Sequence, residues 1–114
     1  MAEPAQIDRT LAALGDPTRR RVVDLLKKKP RRAGELAAHF DMSAPAMSRH
    51  LRVLRVSGLI EEGSALEEDL RVRTYRLRKA PFVELEKWLD DVAEFWTDQL
   101  AAFKAHAEKR GREK

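Results

Sequence analysis

A chain of 114 residues without a single cysteine is short enough to predict one domain, and it excludes disulfides, thiolate metal sites and thiol redox sensing. Its formal charge of +4 is unevenly spread: residues 1–58 carry 12 basic and 6 acidic side chains, residues 59–79 five of each, and residues 80–114 six basic against eight acidic. Any polyanionic partner belongs with the first half, and no apolar run approaches the roughly 18 residues of a membrane span.

Ile7, Leu11 and Leu14 recur at helical spacing and Gly15 closes the run, predicting a first helix. Asp16-Pro17 reads as an N-cap with a first-turn proline. Val22, Val23, Leu25 and Leu26 then give a second helix its buried face until Pro30 ends it. Arg19, Arg20 and Arg21 fall in that helix's first turn, where exposed cations oppose the helix dipole by a few tenths to about 1 kcal/mol each. A phosphate, an intramolecular carboxylate or plain solvation would each accommodate them. The Lys27-Lys28-Lys29 and Arg31-Arg32 runs read either as a solvated face or as a steering patch for a phosphate backbone.

A short third helix over about residues 32–40 turns Leu36, Ala37 and Phe40 inward. Asp41-Met42-Ser43 forms the next turn, Ser43 caps a fourth helix with Pro45 in its first turn, and Gly58 stops that helix after Ser57. Residues 59–62 and 71–77 predict two short strands, with a tip from Gly63 to Leu70 between them. Pro81 opens a last helix over about 82–108, leaving a frayed tail at 111–114 behind a single domain of residues 1–110. The predicted fold is mainly α with a small β-hairpin wing, a winged helix-turn-helix. Its helix-turn-helix spans about 32–57, its wing about 59–77, and a long C-terminal helix serves dimerisation.

Placed on a wheel at about 100° per residue, the fourth helix divides. Met47, Leu51 and Leu54 share one side with His50 at its edge, while Pro45, Ser48, Arg49 and Arg52 share the other with Arg55 flanking. A helix that reads base edges needs that division: an inner face to anchor it, and an outer one of small polar residues and guanidiniums. A solvated surface helix has the same pattern, so periodicity alone leaves both readings open.

Several segments resemble the ArsR-type winged-helix repressors. Ala13-Leu14-Gly15-Asp16-Pro17-Thr18-Arg19-Arg20-Arg21 resembles their entry signature, and Gly34-Glu35-Leu36-Ala37 and Ser48-Arg49-His50-Leu51-Arg52-Val53-Leu54 their helix-turn-helix. Ser57-Gly58-Leu59-Ile60 and Thr74-Tyr75-Arg76-Leu77 are similar to their wing strands, and Trp88 with Phe95-Trp96 to the last helix of the metal-independent autorepressors. The resemblance implies a homodimeric repressor on a palindromic operator near its own promoter, while the lack of cysteine and of any long apolar run makes a cytoplasmic location the expectation. The resemblance also implies that Ser43, Ala44, Met47, Ser48 and Arg49 face the major groove. Arg52 is added from the outer face. At the wing, Glu67, Glu68 and Asp69, with Glu61 and Glu62 at the base, would repel phosphates and leave Arg71 and Arg73 as the usable cations.

Five of the seven aromatic residues lie between 82 and 103. Leu85, Trp88, Leu89, Val92, Phe95, Trp96 and Phe103 form an apolar stripe that one small domain covers poorly, so a dimer through this helix and Leu11 and Leu14 of the first is expected. Asp90, Asp91, Glu94 and Asp98 on the other side lack the Asp and His spacing of metal-sensing relatives, and no metal or other cofactor is expected. The start Met1-Ala2-Glu3-Pro4 is unlike a secretory signal. No phosphate loop or nucleophile cluster suggests an enzyme. The expected function is a DNA-binding regulator, probed against one alternative: a winged-helix module that uses the aromatic helix for a protein partner.

Overall fold

Capping residues and apolar periods set the element boundaries. The computed structural model of the chain describes residues 5–64 and 73–112. In order these form α1 (Gln6–Ala13), α2 (Pro17–Lys28), β1 (Arg31–Arg32), α3 (Ala33–His39), α4 (Ala44–Val56), β2 (Ile60–Ser64), β3 (Arg73–Leu77) and α5 (Lys79–Arg112). The chain divides into two compact units, residues 1–82 and 83–114. No helix among the described residues is long and apolar enough to cross a membrane.

The first unit is a winged helix. Asp16 caps α2 by accepting the Arg19 N–H at 3.0 Å, and Pro17 at the first position gives up an N–H that the helix would leave unpaired anyway. Two of the arginines that follow bond backbone oxygen. Arg19 Nε donates to the Ala13 carbonyl and Arg20 to that of Leu14, both at 2.6 Å. Those carbonyls end α1 without helical partners and carry its negative pole, so the two cations serve the helix before them.

The sheet is antiparallel throughout, in the order β1-β3-β2. Arg31 stands opposite Tyr75 and Arg32 opposite Thr74, while Ile60 to Ser64 run against Leu77 to Arg73. The Arg31-Arg32 run is therefore a strand, which the sequence reading did not foresee. Two adjacent arginines show no alternation, and only the partner strand makes them extended. The second strand of the hairpin begins at Arg73, and the expected tip, with Arg71, Glu67, Glu68 and Asp69, lies outside the described residues.

Val22, Leu26, Leu36, Met47, Leu51, Leu54, Leu59 and Ile60 form the core, joined by Val23, Ala37 and Ala13. Thr74, the buried polar residue of the sheet, donates to the Gly63 carbonyl at 3.2 Å.

In the second unit α5 continues from its start at Lys79 to Arg112, making a helix of 34 residues, about 50 Å long at 1.5 Å per residue. It begins three residues before the expected start and takes in Gly111 and Arg112, which the sequence placed in a frayed tail. Lys109 and Arg110 near its end complement the helix's negative pole and offset the poor helix propensity of Gly111. Trp88, Leu89, Phe95, Trp96, Leu100 and Phe103 are all exposed on this unit, and the Phe95 and Trp96 rings meet edge to face at 5.3 Å.

Candidate nucleic-acid interface

The turn between α3 and α4 is built from backbone hydrogen bonds. Phe40 closes α3, Asp41 N–H reaches the Ala38 carbonyl at 3.2 Å and Met42 N–H that of Ala37 at 3.0 Å. This pair of hydrogen bonds is the Schellman arrangement, which requires a left-handed residue immediately after the cap. Asp41 supplies it at φ +50°, a conformation that a short polar side chain tolerates better than most. Ser43 Oγ then accepts the Ala46 N–H at 3.2 Å, and Pro45 sits in the first turn.

The far end of α4 closes the same way. Gly58 N–H bonds the Arg55 carbonyl and Leu59 N–H that of Leu54, each at 3.0 Å, with Gly58 at φ +83°. Leu59 is then fully buried, which fixes the exit of the chain into β2.

Between these ends α4 divides as the wheel divides it. Met47, Leu51 and Leu54 are buried, and Ser48, Arg49 and Arg52 are exposed, as are Ser43 and Ala44 at its start. Arg49 Nε lies 3.5 Å from the Pro45 carbonyl, a long contact that leaves the guanidinium available. Arg52 has no hydrogen-bond or ion-pair partner among the described residues. Met47 requires a correction. The resemblance set it in the groove, but it is 0% exposed and belongs to the core, because its position faces inward with Leu51 and Leu54.

Electrostatics around α4 are set by three carboxylates. Asp16 lies 3.8 Å from His50 Nδ1, tying the cap of α2 to the inner edge of α4. The Arg19 backbone N–H, with smaller help from the Arg19 and His50 charges, holds the Asp16 carboxyl below its ordinary range. Glu62, largely buried at its side chain, takes Arg73 on Oε1 at 3.2 Å and Arg55 on Oε2 at 3.1 Å. Arg76 pairs with Glu61 at 2.8 Å, directly across β2 and β3. Burial, reinforced by the Glu62 charge, raises the Tyr75 phenol above its usual value and keeps it neutral. The acids at the wing base thus meet arginines of α4 and β3. Arg73, expected to meet DNA, is exposed but held by Glu62, and Arg71 lies outside the described residues.

Gln6 is a contributor the sequence reading missed. Its Nε2 donates to the Ser57 carbonyl at 2.8 Å and to Thr10 Oγ1 at 3.1 Å, and its Oε1 accepts from Arg9 at 2.9 Å. A Gln and a Thr four apart on one helix face was the local signal, but the contact to Ser57 is 51 positions away and invisible to any window. Among the described residues no three His, Asp or Glu side chains gather as a metal site.

A helix-turn-helix with a locked turn, a buried inner face and a cationic outer face, followed by an antiparallel wing, defines a winged-helix DNA-binding regulator. The comparisons with known proteins agree. The description "Bacterial regulatory protein, arsR family" fits residues 16–62, from the cap of α2 into β2. The chain is 36% identical over 96 residues to the HTH-type transcriptional regulator Rv2034 of Mycobacterium tuberculosis, which spans 84% of this chain and 83% of that one. It is 44% identical over 50 residues to the transcriptional repressor SdpR of Bacillus subtilis, covering 44% of this chain and 56% of SdpR, just over half of its length. The crystal structure of the ArsR family transcriptional regulator RHA00566 matches with a TM-score of 0.70 at 38% identity, over 81% of this chain and 97% of that one. The chain belongs to the arsR family of transcriptional regulators.

Proposed function

We propose that the chain is a homodimeric repressor that binds an inverted-repeat operator, with Ser43, Ala44, Ser48, Arg49 and Arg52 at the major groove. The outer face of α4 carries this reading. Exposed hydroxyls and guanidiniums stand on a helix whose other side is locked into the core, which suits base reading better than a loosely held charged surface. Arg49 is suited to a bidentate contact with guanine, and Arg52, a turn further along, to the phosphate backbone.

Arg49→Ala is expected to cost about 1–3 kcal/mol on the operator and to relax preference at one position of each half-site. Arg52→Ala is expected to weaken all sequences alike and to shallow the salt slope by about one unit. Fluorescence anisotropy on a set of single-base operator variants reads both, and equal loss of discrimination in the two variants refutes the assignment.

One observation favours a second reading, a protein–protein module. Arg55 of α4 and Arg73 of the wing are already paired with Glu62 while the aromatic residues of α5 are exposed. Failure of the wild-type protein to shift its native upstream DNA at low salt would favour it.

A further inference from the structure

The first unit has a second face whose chemistry DNA reading leaves unused. A groove of about 740 Å³ opens between the end of α2, the end of β3 and the first turn of α5. Its floor is apolar, formed chiefly by Val23, Leu26, Leu77 and Phe82. Its rim holds Lys27, Lys28, Lys29, Arg76, Arg78 and Lys79, and no lining residue is acidic.

Three of these cations are engaged. Lys27 pairs with Asp24 at 3.3 Å, Arg76 with Glu61 at 2.8 Å, and Arg78 donates to the Gly58 carbonyl at 3.4 Å. Lys28, Lys29 and Lys79 have no carboxylate partner among the described residues. Lys27 and Lys28 have an ordinary role in the last turn of α2, where cations offset the helix dipole. That role does not extend to Arg78 and Lys79, which come from a distant part of the sequence to the rim of the same apolar floor. Like charges gathered beside an apolar surface repel, and a bound anion removes that repulsion. The volume falls within the roughly 300–1,000 Å³ usual for small-molecule sites, which pair an apolar lining with a few polar anchors. A nucleic-acid backbone would use the rim and waste the floor. A second copy of the chain docked by the same face would set cation against cation.

We propose that this groove binds an amphipathic anion: a lipophilic carboxylate whose apolar body lies along the floor and whose head is held by Lys28, Lys29 and Lys79. The proposal is independent of the DNA-binding reading, because the binding is measured on the free protein.

The test is calorimetric titration of the whole chain with dodecanoate, dodecanol, dodecyltrimethylammonium and acetate, each below any micelle-forming concentration. Dodecanoate is expected to bind once per chain, at least about tenfold more tightly than the other three. Lys28→Glu with Lys29→Glu, and separately Lys79→Glu, are each expected to weaken it at least about tenfold. The first pair also lowers the melting temperature slightly by removing a cation from the last turn of α2, whereas the exposed Lys79 at the start of α5 gives a variant whose melting temperature is not lowered. Equal affinity for dodecanol, or affinity indifferent to the lysine variants, overturns the proposal. So does saturation that survives those variants and quenches Trp88 and Trp96, which would place the ligand on the aromatic helix. Binding to phosphatidylglycerol vesicles with none to free dodecanoate would also overturn it and make the rim a membrane-surface contact.

Discussion

Glu62 holds two guanidiniums with one carboxylate, at the junction where α4 hands over to the wing. On the proposed reading Arg55 and Arg73 lie on the side that meets phosphates, and Glu62 would then compete with DNA for them. Removing its charge while keeping its shape, in Glu62→Gln, is expected to tighten binding at low salt. Each guanidinium that then meets a phosphate steepens the plot of log K against log salt by about 0.9. Anisotropy titrations over a salt series check this, and weaker binding would show instead that Glu62 holds the arginines in their working pose. Asp41 makes a different contribution, to the turn itself. Asp41→Gly relieves the left-handed strain, whereas Asp41→Ala keeps it without the polar side chain, so the alanine variant is expected to be less stable than the glycine one by about 1 kcal/mol, read as a lower urea midpoint at equal slope. At this scale the sequence was legible where the signal was local. Ser48, Arg49 and Arg52 stand where the wheel puts them, and the same wheel turned Met47 inward, against the resemblance. Glu62 was read as a repulsive acid because its two arginines come from another element and another strand.

Among the elements, α2 and α4 share a plan: a polar cap, a proline in the first turn, and an apolar inner face. Both were legible because caps and proline act within one turn of chain. The strand at Arg31-Arg32 was not, since its extended form comes from β3, more than 40 positions away. The cap of α2 also makes stability depend on pH. Asp16 titrates below its ordinary 3.8 in the folded chain, so its contribution is fully present above that value and is lost as pH falls through the lower, folded one. Asp16→Asn keeps an acceptor without the charge. Wild type is therefore expected to melt higher than Asp16→Asn at about pH 5, and the gap should close as the pH falls through the lowered value of the folded chain. A gap that stays constant over that range would show that the charge adds nothing to the cap.

For the whole molecule, the open question is what meets the stripe on α5. Trp96 is 58% exposed and Phe103 71%, and a row of such residues in water is unusual for a monomer. A homodimer would cover it, and glutamates at Val92 and Trp96 would then put charges into the interface. The double variant is expected to sediment as monomer or to aggregate, and a wild-type protein already monomeric at micromolar concentration would refute the dimer. The stripe was legible because its period is helical. Its partner was not, because a repeating apolar pattern says that a surface is to be covered without saying by what.

The bond from Gln6 to the Ser57 carbonyl fastens α1 to the rear of the reading helix, and Arg19 and Arg20 fasten α1 again to the front of α2. Held at both ends, α1 moves with the reading head as one piece. In an assembly joined through α1, the two reading heads then behave as the jaws of a caliper set before DNA arrives. Operators differing only in the gap between half-sites would be told apart by length, with no base contact needed to do it.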